Sequence, residues 1–454
     1  MRHKQLITHI FTNTRTGFDL LTKAIAESAF HDSEERFPPP KCYPNTREAI
    51  LRNIMSWITD DASNGSSPPI LWLYGPVGAG KSAIAQTIAE MCQDTRLASS
   101  FFFSRRDSGR NTDKHLVATI SYQLTQTVEK TKPIIINIVQ NDPLIFSRPL
   151  NTQFSKLVID PLLRVSKVSD SRKVIIIDGL DECDDDEKQC GIINVIYTAV
   201  SRHRLPLCFL VASRPEPHIR DAFNHDMMLK LSRKIPLIED SESNNDVSKY
   251  IRSEFKRIAQ DRRLPTTWPS DKDIETLIEK ASGHFIYPST VMKFIDDWRH
   301  FPPDRLKSIM LDYIFCDQSP FAGLDAKYLE ILKSTSKDRT GTLRIIGLLI
   351  SMTDKKFASP PVVQHLLNLP PGQLEVLLHD VHSIIDVPDD LNDVANPIRI
   401  TQASLIDFIT DRSRSRDYFL DLKNVHADLT QMCFRVLSPG TDVAGTGRCK
   451  FFPM

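Results

Sequence analysis

One eight-residue segment limits what this chain can fold into more than any other. Gly75-Pro-Val-Gly-Ala-Gly-Lys-Ser82 fits the pattern G-x-x-x-x-G-K-[ST] at every fixed position. Three of the chain's 16 glycines lie in this segment, at positions 75, 78 and 80. The apolar residues 70–74 before it predict a buried strand, and residues 81–92 after it predict a helix. The sequence therefore predicts a sheet strand, a tight loop and a helix in direct succession.

The residue types in this loop suit the binding of phosphate groups. Glycines let the backbone turn its N–H groups towards an anion, and the positive end of the following helix faces the same point. Lys81 would reach the β- and γ-phosphates of a nucleotide, and the Ser82 hydroxyl would ligate Mg²⁺. Backbone contacts do not distinguish bases, so ATP/ADP is expected and GTP stays open. The predicted nucleotide-binding residues are Gly75, Pro76, Val77, Gly78, Ala79, Gly80, Lys81, Ser82 and Ala83.

Strand-like and helix-like segments alternate from residue 70 to about residue 235. Short apolar runs predict strands at 99–103, 173–178 and 206–213, and residues 227–231 are a candidate for a fifth strand. A helix is predicted at 114–130. Strands that are apolar on both faces and separated by helices favour a parallel sheet covered on both sides. The predicted fold class is α/β, with a parallel sheet of about five strands.

The strand at 173–178 ends in a group of acidic residues. Asp178 would lie at the carboxyl end of the sheet, where a magnesium ion is bound in this kind of site, so we predict that it is a metal ligand. Asp181 and Glu182 follow a glycine turn, and one of them could orient or deprotonate an attacking water. The sequence does not decide between the two. The further acids at 184–187 are interpreted as a solvated surface.

The strand at 206–213 is followed by an arginine. At the carboxyl end of the sheet, the guanidinium of Arg214 could sense or neutralise a γ-phosphate, so it is grouped with the predicted catalytic residues. The alternative is a surface arginine before the strand-ending Pro215.

Predicted helices replace strands after about residue 240. Residues 384–387 and 397–401 could form a small hairpin, and helices followed by a hairpin suggest a winged-helix domain. The predicted domains are a partly disordered leader at 1–44 with one possible helix at 18–30, a nucleotide-binding domain at 45–235, a helical domain at 236–320, a winged-helix and helical domain at 321–436, and a disordered tail at 437–454.

Composition excludes several partners. Lys+Arg and Asp+Glu are both 57, so there is no global positive field to attract nucleic acid or an anionic membrane. Between residues 360 and 400 six acidic residues accompany a single basic one, which disfavours DNA binding by the predicted winged helix. No apolar stretch approaches the roughly 20 residues of a membrane span. Eight cysteines without a C-x-x-C pair predict reduced thiols and a cytoplasmic location.

Several segments together resemble the NACHT proteins of fungi, a group of STAND-type P-loop NTPases whose nucleotide-binding region is also catalogued as nephrocystin-like. The combination of DGLDE, ASRP and GHFIY is more specific than the phosphate loop alone. The resemblance covers about residues 28–436. The matching segments are CYPNTREAILRNIMSWI, LYGPVGAGKSAIAQTIAE, SFFFSRRDSGRN, VIIIDGLDECDDD, FLVASRPEPHIR, ASGHFIYPSTVMKFI and ASLIDFITDRSRSRDYFLDLKNVHADLTQMC.

The resemblance implies a nucleotide-dependent signalling switch. In that family the strand before Arg214 would lie between the phosphate-loop strand and the acidic strand, Arg214 would act as a sensor, and Pro288 would pack against the base. The ADP form would be closed, and exchange for ATP would open it and drive assembly of a homo-oligomer. Hydrolysis would be slow, and unidentified signalling proteins would be the partners.

The chain differs from the family pattern at three places, which leaves other functions open. It has no folded effector domain before residue 45, no sensor repeats after residue 436, and Gln402 where relatives often carry a histidine thought to touch the phosphates. The chain could be a truncated or minimal member of the family, or an incomplete gene model. The alternatives are a nucleotide-binding remnant that acts only as an interaction module, a P-loop phosphotransferase and, least favoured, a DNA-binding regulator.

Overall fold

The structure is a computed structural model, in which the chain divides into two compact units, residues 1–238 and 239–454. The predicted disordered tail lies outside the described residues from 438 onward, as do residues 1–15 of the predicted leader. The described residues are 16–60, 67–105, 107–165, 171–237, 241–310, 321–335, 338–352, 358–388 and 390–437.

The first unit is built on a parallel sheet of five strands in the order β2-β3-β4-β1-β5. This order confirms the predicted sheet and the position of β4 between the phosphate-loop strand β1 and the acidic strand β3. The strands are β1 Ile70–Tyr74, β2 Leu97–Phe102, β3 Lys173–Asp178, β4 Leu207–Ser213 and β5 Ser232–Pro236.

The prediction of a strand at 227–231 is wrong. Asp226–Leu229 forms a short helix, and the fifth strand begins three residues later, at Ser232. This strand lies at the edge of the sheet, and only two of its five residues, Ser232 and Ile235, are buried. An edge strand lacks the continuous apolar run of a central strand such as β4, whose seven residues are all buried.

Both faces of the sheet are covered because successive side chains of a strand point to opposite sides. In β1, Trp72 belongs to one apolar cluster, whereas Leu71 and Leu73 belong to the other. The second cluster includes Ile84 and Ile88 of the helix that follows the phosphate loop. The helices of the first unit are α1 Gly17–Ala24, α2 Glu48–Thr59, α3 Lys81–Cys92, α4 Leu116–Thr127, α5 Lys132–Asn141, α6 Leu150–Phe154, α7 Asp160–Val165, α8 Asp186–Arg202, α9 Pro217–Asn224 and α10 Asp226–Leu229.

The predicted leader is packed into the first unit over its described part. Helix α1 begins with a capping box, in which Thr16 and Asp19 bond each other's backbone N–H groups. Its Leu21 is fully buried in the core cluster. Short 3₁₀ turns follow at Glu27–Ala29 and Glu34–Arg36 in place of the rest of the helix expected at 18–30. Leu21 therefore belongs to the folded core and not to a linker.

Among its described residues, the second unit is mainly helical and contains one antiparallel pair of two-residue strands, β6 Ile385–Asp386 and β7 Arg399–Ile400. The pair confirms the predicted hairpin, and the winged-helix assignment stays a prediction. In the parts of the chain that the structure describes, no helix has the length and apolar character needed to cross a membrane. The helices of this unit are α11 Ser241–Asp261, α12 Asp271–Ala281, α13 Ile286–Ile295, α14 Pro302–Met310, α15 Ala322–Ser334, α16 Arg339–Ser351, α17 Pro360–Leu366, α18 Gln373–Leu378, α19 Ala403–Ile409, α20 Arg412–Ser415 and α21 Leu422–Leu437.

Candidate nucleotide site

The phosphate loop connects β1 to α3 as the sequence predicts. Gly80 has a φ of 94°, a left-handed conformation that glycine adopts without strain, and a Cβ added there would meet no atom within 4 Å. The space in front of this residue is therefore open. No side chain caps the N-terminus of α3, whose first N–H groups have no acceptor within the helix. The loop thus combines free space with backbone donors, which suits a phosphate group.

Two basic side chains hold the loop. The Lys81 ammonium donates to the carbonyl oxygens of Gly75 and Pro76, at 2.8 and 2.9 Å. Arg47 is buried and immediately precedes α2. Its Nη2 donates to the carbonyl oxygen of Ala79 at 3.3 Å. The remaining predicted loop residues Val77, Gly78 and Ala83 are partly buried. The sequence singled out Lys81 but not Arg47.

Asp178 ends β3 and contacts the phosphate loop through Ser82. The side chain of Ser82 interacts with the Asp178 carboxyl group and lowers its pKa. The carboxyl oxygen Oδ1 is buried and has no hydrogen-bond partner among the described residues. The pKa of Asp178 is raised to about 7, mainly by burial and further by the charge of Glu182, while Ser82, Arg36 and Lys81 act to lower it. A buried carboxyl oxygen without a partner is rare in native proteins and points to a missing ligand.

Asp181 is committed to Arg214. Its Oδ2 accepts from Arg214 Nε at 2.6 Å, and its Oδ1 accepts from the backbone N–H of the same residue at 2.8 Å. Burial alone would raise the pKa of Asp181, but the charges of Arg214 and Lys81 outweigh it and lower the pKa. Arg214 also faces Glu216, with 3.3 Å between Nη1 and Oε1. Asp181 is therefore an ionised orienting group for Arg214.

Glu182 follows Asp181 in the turn that begins at Gly179. Gly179 has a φ of 69°, and this left-handed residue leads into the 3₁₀ turn Leu180–Glu182. The backbone N–H of Arg105 donates to Glu182 Oε2 at 3.2 Å, while the Arg105 guanidinium donates to the Asp181 carbonyl oxygen at 2.9 Å. Glu182 is only partly buried, unlike Asp181. Of the two, the geometry favours Glu182 as the acid that could act on a water.

The residues at this edge fit a magnesium ion that is shared with a nucleotide. Magnesium is usually bound by one or two protein oxygens together with substrate phosphates, so a cage of protein ligands is not expected. The described residues contain no group of three or more His, Cys, Asp or Glu side chains that could hold a metal alone. Asp178 Oδ1 and the neighbouring Ser82 hydroxyl supply hard oxygen ligands beside the phosphate loop. Ser82 and Asp178 are therefore suitable to hold Mg²⁺ once phosphates complete the site.

The structure brings most predicted site residues into one unit. These residues lie at the carboxyl end of the sheet. The phosphate loop follows β1, Asp178 ends β3 and is followed by Asp181 and Glu182, and Arg214 follows β4. Pro288 lies in the second unit, buried in the first turn of α13, and its contact with a base stays a prediction. Gln402 is also buried there, and its side-chain oxygen accepts from the Tyr328 hydroxyl at 2.6 Å.

Comparison with known proteins supports the assignment of the fold. Residues 45–214 match the family model described as Nephrocystin 3, N-terminal. A Walker-type ATPase of Pyrococcus abyssi superposes with a TM-score of 0.51 at 14% identity, over 81% of this chain and 97% of that protein. The chain therefore has the P-loop NTPase fold. No match is found among curated protein sequences.

Two further structures are more distant. The Aeropyrum pernix ORC1 protein in complex with DNA has 14% identity and a TM-score of 0.38, over 88% of this chain and 97% of that one. The Drosophila ORC bound to DNA has 11% identity and a TM-score of 0.35, over 94% of this chain and 95% of that one. Similarity this low supports no inference about the ligands of the present chain.

Proposed function

We propose that this protein binds ATP with Mg²⁺ at the carboxyl edge of the first unit's sheet and hydrolyses it slowly. The observation that supports this most directly is the buried Asp178 Oδ1, which lacks a hydrogen-bond partner among the described residues, while Ser82 of the phosphate loop interacts with the same carboxyl group. A buried carboxylate with only a structural role usually has both oxygens hydrogen-bonded. GTP remains an alternative because none of these contacts involves a base.

Each residue of the site has a distinct role in this proposal. The phosphate loop and Lys81 bind the phosphates, and Ser82 with Asp178 holds the magnesium ion, which would neutralise charge on the transferred phosphoryl group. Glu182 orients or deprotonates the attacking water. Arg214 contributes positive charge towards the terminal phosphate, and Asp181 fixes its orientation.

The further proposal is that hydrolysis serves a signalling switch of the NACHT/STAND class. It is supported by the family-model match and by the motifs that resemble fungal NACHT proteins. In this proposal the ATP form assembles into a homo-oligomer and acts on other signalling proteins, with Pro288 of the second unit near the base. Light scattering with Mg²⁺-ATP and with Mg²⁺-ADP tests the switch, and a monomer in both states would contradict it.

Binding is tested with Lys81→Ala and a fluorescent ATP analogue. Each charge-assisted contact contributes about 1.5–3 kcal/mol, and Lys81 is predicted to contact two phosphates, so affinity should fall at least about a hundredfold. Lys130→Ala is a matched control, since this exposed lysine lies before α5, away from the loop. Unchanged affinity in Lys81→Ala, with normal thermal unfolding, would remove the nucleotide-site assignment.

A further inference from the structure

The residues that precede the matched family region form a strap over the candidate site. Residues 27–43, here called the N-terminal strap, are held at both ends by polar contacts. Ser28 Oγ bonds Asp107 Oδ2 at 2.9 Å, in the loop that follows β2. At the other end, Lys41 pairs with Glu90 of α3 at 2.9 Å. The Cys42 backbone N–H donates to Oγ1 of Thr87, which is also in α3. The strap thus connects two elements that border the phosphate loop and β3.

Arg36 is the strap residue whose charged group lies beside β2 and α3. Its guanidinium carbon lies 3.6 Å from the centre of the Phe102 ring. Phe102 ends β2 and is paired in register with Asp178 on β3, so the two side chains leave the same face of the sheet. Arg36 also donates to Gln86 Oε1 at 2.9 Å, and Gln86 lies one helical turn after Ser82 in α3. Arg36 is therefore placed beside both proposed magnesium ligands.

The hydrogen bonds of Arg36 leave part of its guanidinium unused. Nη1 donates to Gln86 Oε1 and to the carbonyl oxygens of Phe30 and His31. Nε and Nη2 form no hydrogen bond with the described residues. Burial lowers the pKa of Arg36 to about 10, so the group is still a cation at neutral pH, and Asp178 is the acid whose charge favours that cation most. A largely buried cation normally has a bonded counter-ion.

We propose that Arg36 is a positioning residue of the nucleotide site, and that it couples the N-terminal strap to nucleotide binding. This inference rests on the proposed function. A fixed guanidinium near Ser82 and Asp178 favours an anionic phosphate group at the loop. By thermodynamic reciprocity, a strap that strengthens nucleotide binding must itself be stabilised when nucleotide binds.

The charge of Arg36 can be separated from its packing. The three hydrogen bonds of Nη1 go to neutral oxygens, so a neutral donor could supply part of them. Arg36→Gln removes the charge and keeps a donor, whereas Arg36→Lys keeps the charge. Arg52→Gln is the matched control, because Arg52 is exposed on α2. A purely structural role predicts that thermal stability changes while the affinity of the folded protein does not.

Titration with the fluorescent ATP analogue in Mg²⁺ is the first test. Arg36→Gln should bind about tenfold more weakly, and Arg36→Lys and Arg52→Gln should stay within about threefold of wild type. Wild-type affinity in Arg36→Gln would overturn the inference, as would equal losses in Arg36→Gln and Arg36→Lys. If Lys81→Ala loses binding in the same series, the proposed function stands in either case. If Lys81→Ala binds normally, the proposed function itself has failed.

Amide hydrogen exchange of the intact protein is the second test, and it needs no variant that binds poorly. In the wild type, the analogue with Mg²⁺ should slow exchange in residues 27–43 by up to the same factor of about ten. Arg36→Gln at saturating analogue should show protection at the phosphate loop but not in the strap. Equal protection of the strap in both proteins, or none in the wild type, would overturn the coupling.

Discussion

Each unit of this protein buries an ion pair between an arginine and an aspartate. In the first unit Arg214 Nε lies 2.6 Å from Asp181 Oδ2, and the two side chains are 13% and 4% exposed. In the second unit Arg414 Nη2 lies 2.7 Å from Asp325 Oδ1, with both side chains 10% exposed. A second bond of 3.2 Å joins Arg414 Nε to Asp325 Oδ2. By distance and burial alone the two pairs are nearly equivalent.

Their surroundings differ. Arg414 lies between aromatic rings, 4.7 Å from the centre of Phe321 and 5.8 Å from that of Phe408. Arg214 instead faces a second acid, Glu216, and its partner Asp181 is influenced by the charge of Lys81. Among the described residues, Asp178 in the first unit is the only carboxylate with a buried oxygen that lacks a partner. A buried ion pair is therefore weak support for a functional site, whereas unsatisfied and competing charges beside it are strong support.

The largest expected effect comes from breaking the pair of the second unit. Arg414→Ala leaves the Asp325 carboxylate buried without its partner, so stability should fall by about 3–5 kcal/mol. The double variant Arg414→Met with Asp325→Leu should recover most of this loss, because apolar groups of similar size remove both charges. Urea unfolding measures the stability, and nucleotide affinity of the folded protein should not change.

The equivalent double replacement in the first unit tests whether its ion pair has a catalytic role that the second-unit pair lacks. Arg214→Met with Asp181→Leu should likewise retain the fold, but ATP hydrolysis should be lost because Arg214 is proposed to act on the terminal phosphate. If the first-unit variant hydrolyses ATP at the wild-type rate, the two pairs have the same structural role and the comparison fails.

Glu182→Gln should have the next largest effect. Removal of a general base typically slows a reaction by at least about a hundredfold, and the amide keeps the size of the side chain. ATP hydrolysis should fall by about that factor, while binding of the fluorescent analogue stays within about threefold. Glu187→Gln is the control, because Glu187 is an exposed acid of the same run. Equal hydrolysis rates in the two variants would show that Glu182 has no catalytic role and belongs to the solvated acidic surface.

A smaller, pH-dependent effect is expected at Asp178. Burial raises its pKa to about 7, and magnesium binding requires the ionised carboxylate. Affinity for the Mg²⁺-bound analogue should therefore fall about tenfold for each pH unit below 7. Titrations at pH 6 and pH 8 measure this. Asp178→Asn should bind weakly at both values, and an equal pH dependence in Asp178→Asn would assign the titration to another group.

The stability of the nucleotide-free protein should change with pH in the opposite direction, falling as pH rises. A carboxyl group whose pKa is raised from 3.8 to about 7 stabilises the folded state when it is protonated. This contribution is present below the unfolded pKa and is lost as pH rises through about 7. Asp178→Asn should lack this loss, so its melting temperature should rise relative to wild type between pH 4 and pH 8. Parallel curves of melting temperature against pH for the two proteins would contradict this prediction.

The smallest effect is expected at Tyr328. Its hydroxyl bonds Gln402 Oε1 at 2.6 Å and Ser404 Oγ at 2.7 Å within the second unit. Tyr328→Phe should lower stability by about 1 kcal/mol without changing nucleotide affinity. Tyr418→Phe is the control, since its hydroxyl forms no hydrogen bond with the described residues. A several-fold change in affinity for Tyr328→Phe alone would link this network to the nucleotide site.

The central elements of the first unit were predictable because their sequence patterns are local. The bounds predicted for β1, α3 and β3 agree with the structure. The apolar strands β1 and β3 each end beside a glycine, at Gly75 and Gly179, and α3 has a helical apolar period. β5 was misplaced because an edge strand has a weaker apolar pattern. The position of β4 between β1 and β3 was expected only from the family resemblance, since strand order has no local pattern.

Residue type and spacing are enough to identify the residues that could bind phosphate and metal. The phosphate loop and the acids after β3 are defined by residue type and spacing, because glycine conformations and oxygen ligands are properties of individual residues. Only the tertiary structure decided how these residues are paired. It assigned Asp181 to Arg214, left Asp178 Oδ1 without a partner among the described residues, and placed Arg36 over Phe102, the register neighbour of Asp178. Such pairings join residues that are distant in the chain, and burial fixes them only once the sheet and the strap have packed together.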